Sequence, residues 1–357
     1  MRKYFANFDW FLFLAALVLL TFSLVMIASV ASQLFFPQFF YAFLGLLLFF
    51  IFSQIDYRFF EKLASFFFVG SLGFLLIPLF LGIATRGARR WIQLGFLTLQ
   101  PSELVKPFLI IFFASFFSSR EMSLKEVMRG IFFLLLPIIL VFLQPDLGSS
   151  LVLFFSWLGV VLGSGLSWRL IILGFLLLLF FFPWGWYLLQ DYQRQRILSF
   201  LNPLSDPLRS GYHLIQTTVA VGSGQWFGRG WGRGTQSHLR FLPERHTDFI
   251  FASLAEELGF FGAAILILLF AFLLWRILVI SQKARDLFGF LLCLGIFSLF
   301  FIQILVNIGM NLGLLPITGI TLPLISYGGS SLVTTMISLG IVANIARLKK
   351  REEAAMI

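Results

Sequence analysis

The sequence predicts an all-α integral membrane protein with about ten transmembrane helices. Composition is the first observation behind this. Of 357 residues, 59% are hydrophobic and only 12% charged, where a soluble domain is about a quarter charged. Mean hydropathy is +0.96. The second is patterning: windows such as Phe11–Val30, Leu63–Leu81 and Leu170–Phe182 are apolar on every side. A helix with no polar stripe belongs in lipid or in a deep core. The third is that such runs recur at the length a bilayer requires, separated by short polar breaks.

Taken in order, the spans are expected at roughly 9–30, 38–55, 63–83, 103–119, 130–144, 147–164, 169–190, 248–276, 287–312 and 322–346. The first resembles a cleaved leader, since Ala28-Ser-Val-Ala31 mimics a processing site. However, the run Trp10–Ala28 exceeds the roughly 7–15 apolar residues of a leader, which argues for a retained span. The fifth and sixth are short and separated only by Gln144-Pro-Asp-Leu-Gly148, as two tilted helices or a broken pair. With no soluble domain and no internal repeat, the chain reads as one polytopic membrane domain, 1–357. Its longest polar stretch, 191–247, forms an extracytoplasmic loop between spans seven and eight.

Lysine gives the orientation. With both termini inside, Lys3, Lys62, Lys125, Lys283, Lys349 and Lys350 face the cytoplasm, with Arg2, Arg58, Arg120, Arg129, Arg285, Arg347 and Arg351. The net charge of +10 is scattered between apolar runs and suits a membrane surface, so membrane lipids are expected partners and nucleic acid is not. A single cysteine, Cys293, rules out a disulfide framework. His213, His238 and His246 stand at unrelated spacings, so no zinc site is expected; no metal site or cofactor is expected, with a divalent-cation requirement left open.

Ionisable residues in a bilayer are expensive and mark function. Glu103, Lys106, Asp146, Asp248, Glu256 and Glu257 all fall toward the outer ends of their spans. A transporter would place such groups near the midplane. The long loop carries arginine and no lysine: Arg194, Arg196, Arg209, Arg229, Arg233, Arg240 and Arg245. Arginine grips phosphate with a planar fork, which suits a diphosphate head group, and attraction to anionic lipids is the plainer alternative. The glycine run from Gly222 to Gly234 lacks the strand and the Gly-Lys-Ser/Thr ending of a nucleotide loop. It reads instead as a loop whose backbone can approach a ligand closely. Asp248 can be a helix cap or a general base at the water–lipid boundary, and the residues alone leave both open.

Several segments carry a resemblance. They include Arg90-Trp-Ile, Gln100-Pro-Ser-Glu-Leu-Val-Lys106, Gln144-Pro-Asp-Leu-Gly148, Asp191-Tyr-Gln-Arg-Gln-Arg-Ile197 and Gly211-Tyr-His-Leu-Ile-Gln216. Leu242–Gly259, Gly313-Leu-Leu-Pro316 and Leu324-Ile-Ser-Tyr-Gly-Gly-Ser330 continue it. From Phe8 to about Arg347 the chain resembles the SEDS family (shape, elongation, division and sporulation; RodA, FtsW and SpoVE), and the stretch after Gly234 looks more like its RodA branch. The resemblance implies a peptidoglycan glycosyltransferase that polymerises lipid II into β-1,4 glycan at the outer face of the bacterial cytoplasmic membrane, with inversion, during rod elongation. It implies Asp248 as the catalytic residue and Trp91, Glu103 and Lys106 as cavity residues. Arg194 and Arg196 match a basic pair, read here as diphosphate ligands. Of Glu256 and Glu257, one is expected to support the cavity by reaching Lys106 and the other to contact a neighbouring helix or backbone, with hydrogen bonding of both, protonated, between helices as the alternative. The implied partners are lipid II, the growing strand and a class B penicillin-binding protein. A lipid II flippase or a non-catalytic scaffold are the competing functions.

Overall fold

The computed structural model describes residues 8–85, 88–94, 97–203, 210–239 and 241–353. Arg2, Lys3, Arg209 and Arg240 of the charge patterns above lie outside them. Fifteen α-helices are present among the described residues. The first four are α1 (Trp10–Val30), α2 (Phe35–Gln54), the short α3 (Tyr57–Lys62) and α4 (Ala64–Leu81). Next come α5 (Pro101–Leu104), α6 (Lys106–Ser118), α7 (Leu124–Leu143), α8 (Leu147–Gly163) and α9 (Trp168–Leu188). Three helices follow within the predicted loop: α10 (Asp191–Leu201), α11 (Ser210–Ser223) and α12 (Thr235–His238). The last are α13 (Ile250–Gln282), α14 (Leu287–Asn311) and α15 (Gly329–Glu353).

Eight helical segments are long and apolar enough to cross a membrane, and the shorter apolar stretches Leu147–Gly163 and Trp168–Phe181 match the other two predicted spans. The pair left open at 144–148 is two helices. Asp146 ends the turn and caps α8 by accepting from Ser149 N at 3.1 Å.

One span boundary needs correction, and two connections carry structure of their own. The segment after α4 is a small antiparallel sheet: β1 (Ile83–Thr85), β2 (Ala88–Leu94) and β3 (Leu97–Leu99), paired in that order. Arg-Arg-Trp-Ile-Gln-Leu is too short and too charged to signal a strand by alternation alone. Within 191–247, the described residues include three helices, α10, α11 and α12. The last span begins at Gly329, because 313–328 forms an irregular segment with Gly313, Gly319 and Leu324 at positive φ.

The bundle centre is α15, which packs along α2 and is buried on nearly every side from Ser330 to Ile345. Its buried hydroxyls are satisfied locally: Thr335 Oγ1 donates to the Ser331 carbonyl and Ser338 Oγ to that of Thr334, both at 2.8 Å. Small hydroxyl residues let helices approach closely where lipid offers no hydrophobic drive between them. Around it, α14 packs on α8, α13 and α6. The described apolar side chains of α9, including Trp168, Phe175 and Trp184, are exposed, which puts this helix on the periphery.

Candidate active site

Two cavities meet at the end of the bundle that carries the sheet. The first, about 500 Å³, lies between α10, the α7–α8 turn and the 313–328 segment, and Arg90, Asp146, Tyr192, Arg196 and Asp248 contribute to its wall. The second, about 460 Å³, is bounded by the sheet and by the start of α15, with Trp91, Gln100, His246, Tyr327 and Ser330 among its lining. Arg90, Asp248 and Gly319 line both. Asp248 therefore stands where the two spaces join.

Its position is held through the main chain. Asn307 and Asn311 on α14 each donate from Nδ2 to the Asp248 carbonyl at 3.0 Å. Asn311 Oδ1 also accepts from Ala252 N at 3.2 Å. From the other side, Ser326 Oγ donates to the Thr247 carbonyl at 2.7 Å and Tyr327 N to the His246 carbonyl at 2.8 Å. The side chains of Asn307, Asn311 and Ser326 in these clamps are buried, where an unmet hydrogen bond would cost about 1–3 kcal/mol. The N-cap of α13 is Phe249, with no side-chain cap. The capping reading of Asp248 is not what the helix start shows.

The cations divide between cavity and frame. Arg196 lines the first cavity, its guanidinium 5.6 Å from the Tyr192 ring centre, and donates to the Ile317 carbonyl at 3.2 Å. Arg194 turns the other way, donating to the carbonyls of Trp186 and Tyr187 at 3.0 and 3.1 Å, and does not line the cavity. Residues two apart on a helix point about 160° from each other, so a pair read as equivalent in sequence cannot face one ligand. Arg90 is the cation that sequence reasoning passed over, though it opens the Arg90-Trp-Ile motif. Its Nη1 lies 4.0 Å from Asp146 Oδ1, and its Nε is buried without a hydrogen-bond partner. An unmet buried donor beside a cavity suits an anionic ligand. Asp146 is itself fully engaged, accepting at Oδ2 from Gln100 Nε2 and Ser102 Oγ at 2.9 and 3.0 Å.

Trp91 lines the second cavity. Burial pushes the Tyr327 phenol up from its ordinary value, with Tyr41 adding to the effect, so it keeps its proton at neutral pH and remains a donor. Glu103 and Lys106 form a buried ion pair with each other, 7% and 1% exposed, and line neither cavity. They support the site from behind, where the Glu103 carbonyl accepts from Thr334 Oγ1 of α15 at 3.2 Å.

Glu256 and Glu257 are fully buried, but neither reaches Lys106, whose acidic partner is Glu103. They anchor the loop before α13 instead. Glu256 accepts from Gln236 N and Ser237 N, and Glu257 from Ser29 Oγ at 2.7 Å and Gly232 N at 3.2 Å, with His238 Nε2 3.0 Å away. The reason is a break in α13 at Gly259 (φ 67°, ψ −165°). The glycine run covers this break. Arg229 N and Gly230 N donate to the carbonyls of Glu256 and Glu257, and Phe260 N and Phe261 N donate to those of Gln225 and Trp226. A Cβ on Gly228 would meet the Glu257 carbonyl at 2.1 Å. The close backbone approach expected of this run is real, but it is made to the broken helix.

Among the described residues, no group of three or more His, Cys, Asp or Glu side chains could hold a metal ion.

Comparison with known proteins adds a family. A model described as cell cycle protein, covering FtsW, RodA and SpoVE, matches residues 2–351. The peptidoglycan glycosyltransferase MrdB of Escherichia coli K12 is 43% identical over 311 residues, 86% of this chain and 84% of that protein. Stage V sporulation protein E of Bacillus subtilis 168 is 37% identical, over 96% of this chain and 98% of its own. Among solved structures, a chain of a peptidoglycan synthase complex in which polymerization and crosslinking are coordinated superposes with a TM-score of 0.85 at 34% identity. The match covers 96% of this chain and 98% of that one. The rod shape determining protein RodA of Thermus thermophilus gives a TM-score of 0.73 at 31% identity, covering 95% and 97%.

Proposed function

The chain belongs to the FtsW, RodA and SpoVE family of cell cycle proteins, and from that premise we propose how it works. It is a multi-pass membrane enzyme, a peptidoglycan glycosyltransferase that joins lipid II disaccharide units into β-1,4 glycan in rod elongation. The observation that carries the mechanism is the junction of two cavities at Asp248. A polymerase must hold a donor and an acceptor at once, with a base between them.

The first cavity suits the donor, because Arg90 and Arg196 can hold its diphosphate. The second suits the acceptor sugar, offering an indole, a phenol, carboxamides and hydroxyls. The Asp248 carboxylate takes the proton of the acceptor 4-hydroxyl as that oxygen attacks the donor anomeric carbon. The bond to the diphosphate breaks on the opposite face, and undecaprenyl diphosphate leaves with the electron pair. A single displacement converts the α-linked donor to a β-linked product. Arg90 and Arg196 stabilise the charge that develops on the leaving group. We further propose that no resident cofactor takes part, which polymerisation in EDTA would test.

Lysine distribution supports a bacterial cytoplasmic membrane location with both termini inside and the site at the outer face. The likeness to the synthase complex supports a class B penicillin-binding protein as partner. The deciding experiment is purified protein with lipid II alone: glycan polymer is expected from the wild type and none from Asp248→Asn. Polymer formed equally by both would remove Asp248 as the base.

A further inference from the structure

We propose that the end of the bundle opposite the reaction cavities carries a seat for one anionic phospholipid, with its phosphate among Arg120, Lys125 and Arg129 and an acyl chain on the phenylalanine face of α6 and α7. A separate cavity of about 630 Å³ opens there, lined by Ser65, Phe112 and Phe116, by Met128, Phe132 and Phe133, and by the three cations. Its place follows from helix direction. It sits where α4 and α7 begin, and those helices end at Leu81 beside the sheet and at Leu143 beside the Asp146 turn.

The charge is unbalanced in one sense. Glu126 lies between two guanidiniums, with Arg129 Nη1 at 2.5 Å and Arg120 Nε at 3.5 Å. The third cation, Lys125, is exposed and has no partner among the described residues. Counting Glu121 of the same turn with Glu126, the three cations leave one net positive charge at the rim.

The floor is apolar and stacked. Phe68 and Phe112 lie 4.2 Å apart, centre to centre, and Phe133 stands edge-on to Phe112 at 5.4 Å. The Arg120 guanidinium rests over the Phe116 ring at 4.1 Å, so the cation sits directly at the border of the aromatic surface. From Met128 an exposed stripe continues along α7 through Phe132, Leu135, Ile139 and Leu143, a track of about 22 Å at 1.5 Å per residue. An anionic head joined to a long hydrocarbon matches both parts. Free phosphate would leave the floor unused, and an apolar partner helix would leave the cations unmet.

Purified protein in detergent, titrated with palmitoyl-oleoyl phosphatidylglycerol, phosphatidylcholine or glycerol 3-phosphate and followed by native mass spectrometry, tests this. One phosphatidylglycerol should be retained in preference to phosphatidylcholine, and glycerol 3-phosphate should not bind. In K125Q/R129Q the affinity should fall roughly 30-fold, about five-fold for each cation removed, with helical content unchanged by circular dichroism. If that variant fails to fold, a phosphatidylglycerol carrying a diazirine in its chain should label wild-type peptides containing Met128 and Phe132, and unlabelled phosphatidylglycerol should compete. Equal competition by phosphatidylcholine, binding of glycerol 3-phosphate alone, undiminished affinity in a folded K125Q/R129Q, or a polypeptide crosslinked at Phe132 in place of lipid would each overturn the proposal.

Discussion

Ser237 donates twice to one oxygen of Glu256, from its amide at 3.1 Å and its hydroxyl at 3.0 Å. This fastens the first turn of α12 to the segment of α13 that precedes the break. Gln236 N adds a third hydrogen bond at 2.8 Å. Removing the carboxylate leaves two buried amides without acceptors, each worth about 1–3 kcal/mol. Glu256→Ala should therefore lose about 3 kcal/mol of stability in detergent, read as a lower unfolding midpoint. Glu256→Gln, which keeps one acceptor, should lose less.

Asp248→Asn preserves size and the main-chain carbonyl that Asn307 and Asn311 grip. Unfolding temperature should be close to wild type while the polymerisation rate falls about 10²–10⁴-fold, the usual worth of a general base. A steady-state assay with lipid II should show the loss in kcat rather than in KM.

The arginines should separate by position. Arg90→Lys and Arg196→Lys replace a fork by a point charge beside the first cavity and should slow polymerisation severalfold or more. Arg194→Lys should have little effect on rate, because its guanidinium serves the end of α9. A comparable rate loss at all three positions would contradict this division.

Gly259→Ala should be costly without touching the reaction cavities. Its backbone lies in a region almost reserved for glycine, a strain of about 1–3 kcal/mol for other residues. In addition, the new Cβ would stand 2.2 Å from Gly228 N. The expected outcome is a lower thermal midpoint and faster proteolysis within 224–239.

Glu103 and Lys106 should show strong coupling. Either single neutralisation, Glu103→Gln or Lys106→Met, leaves one buried charge alone and should cost about 3–5 kcal/mol. The double variant should recover much of this, as a double-mutant cycle on unfolding would reveal.

The sequence by itself determined the class of fold and which charged residues gather at one end of the spans. Apolar runs of span length leave little choice, because a bilayer admits only structures that meet their own backbone hydrogen bonds. The clustering of Asp146 and Asp248 at one end of the spans was legible for the same reason, since charge in lipid is too costly to be incidental. What only the tertiary structure decided was which charge meets which. Glu256 and Glu257 look like members of an ion-pair network when read along one helix. The positive φ of Gly259 breaks that helix, and the glycine run folds back to satisfy it. Arg90 and Arg196 reach the cavity that Asp248 lines from β2 and α10, more than a hundred residues apart along the chain, while Arg194, two positions away from Arg196, faces elsewhere. Spacing along one helix orders the side chains of that helix, but convergence of distant segments depends on how the helices pack, which no local pattern records.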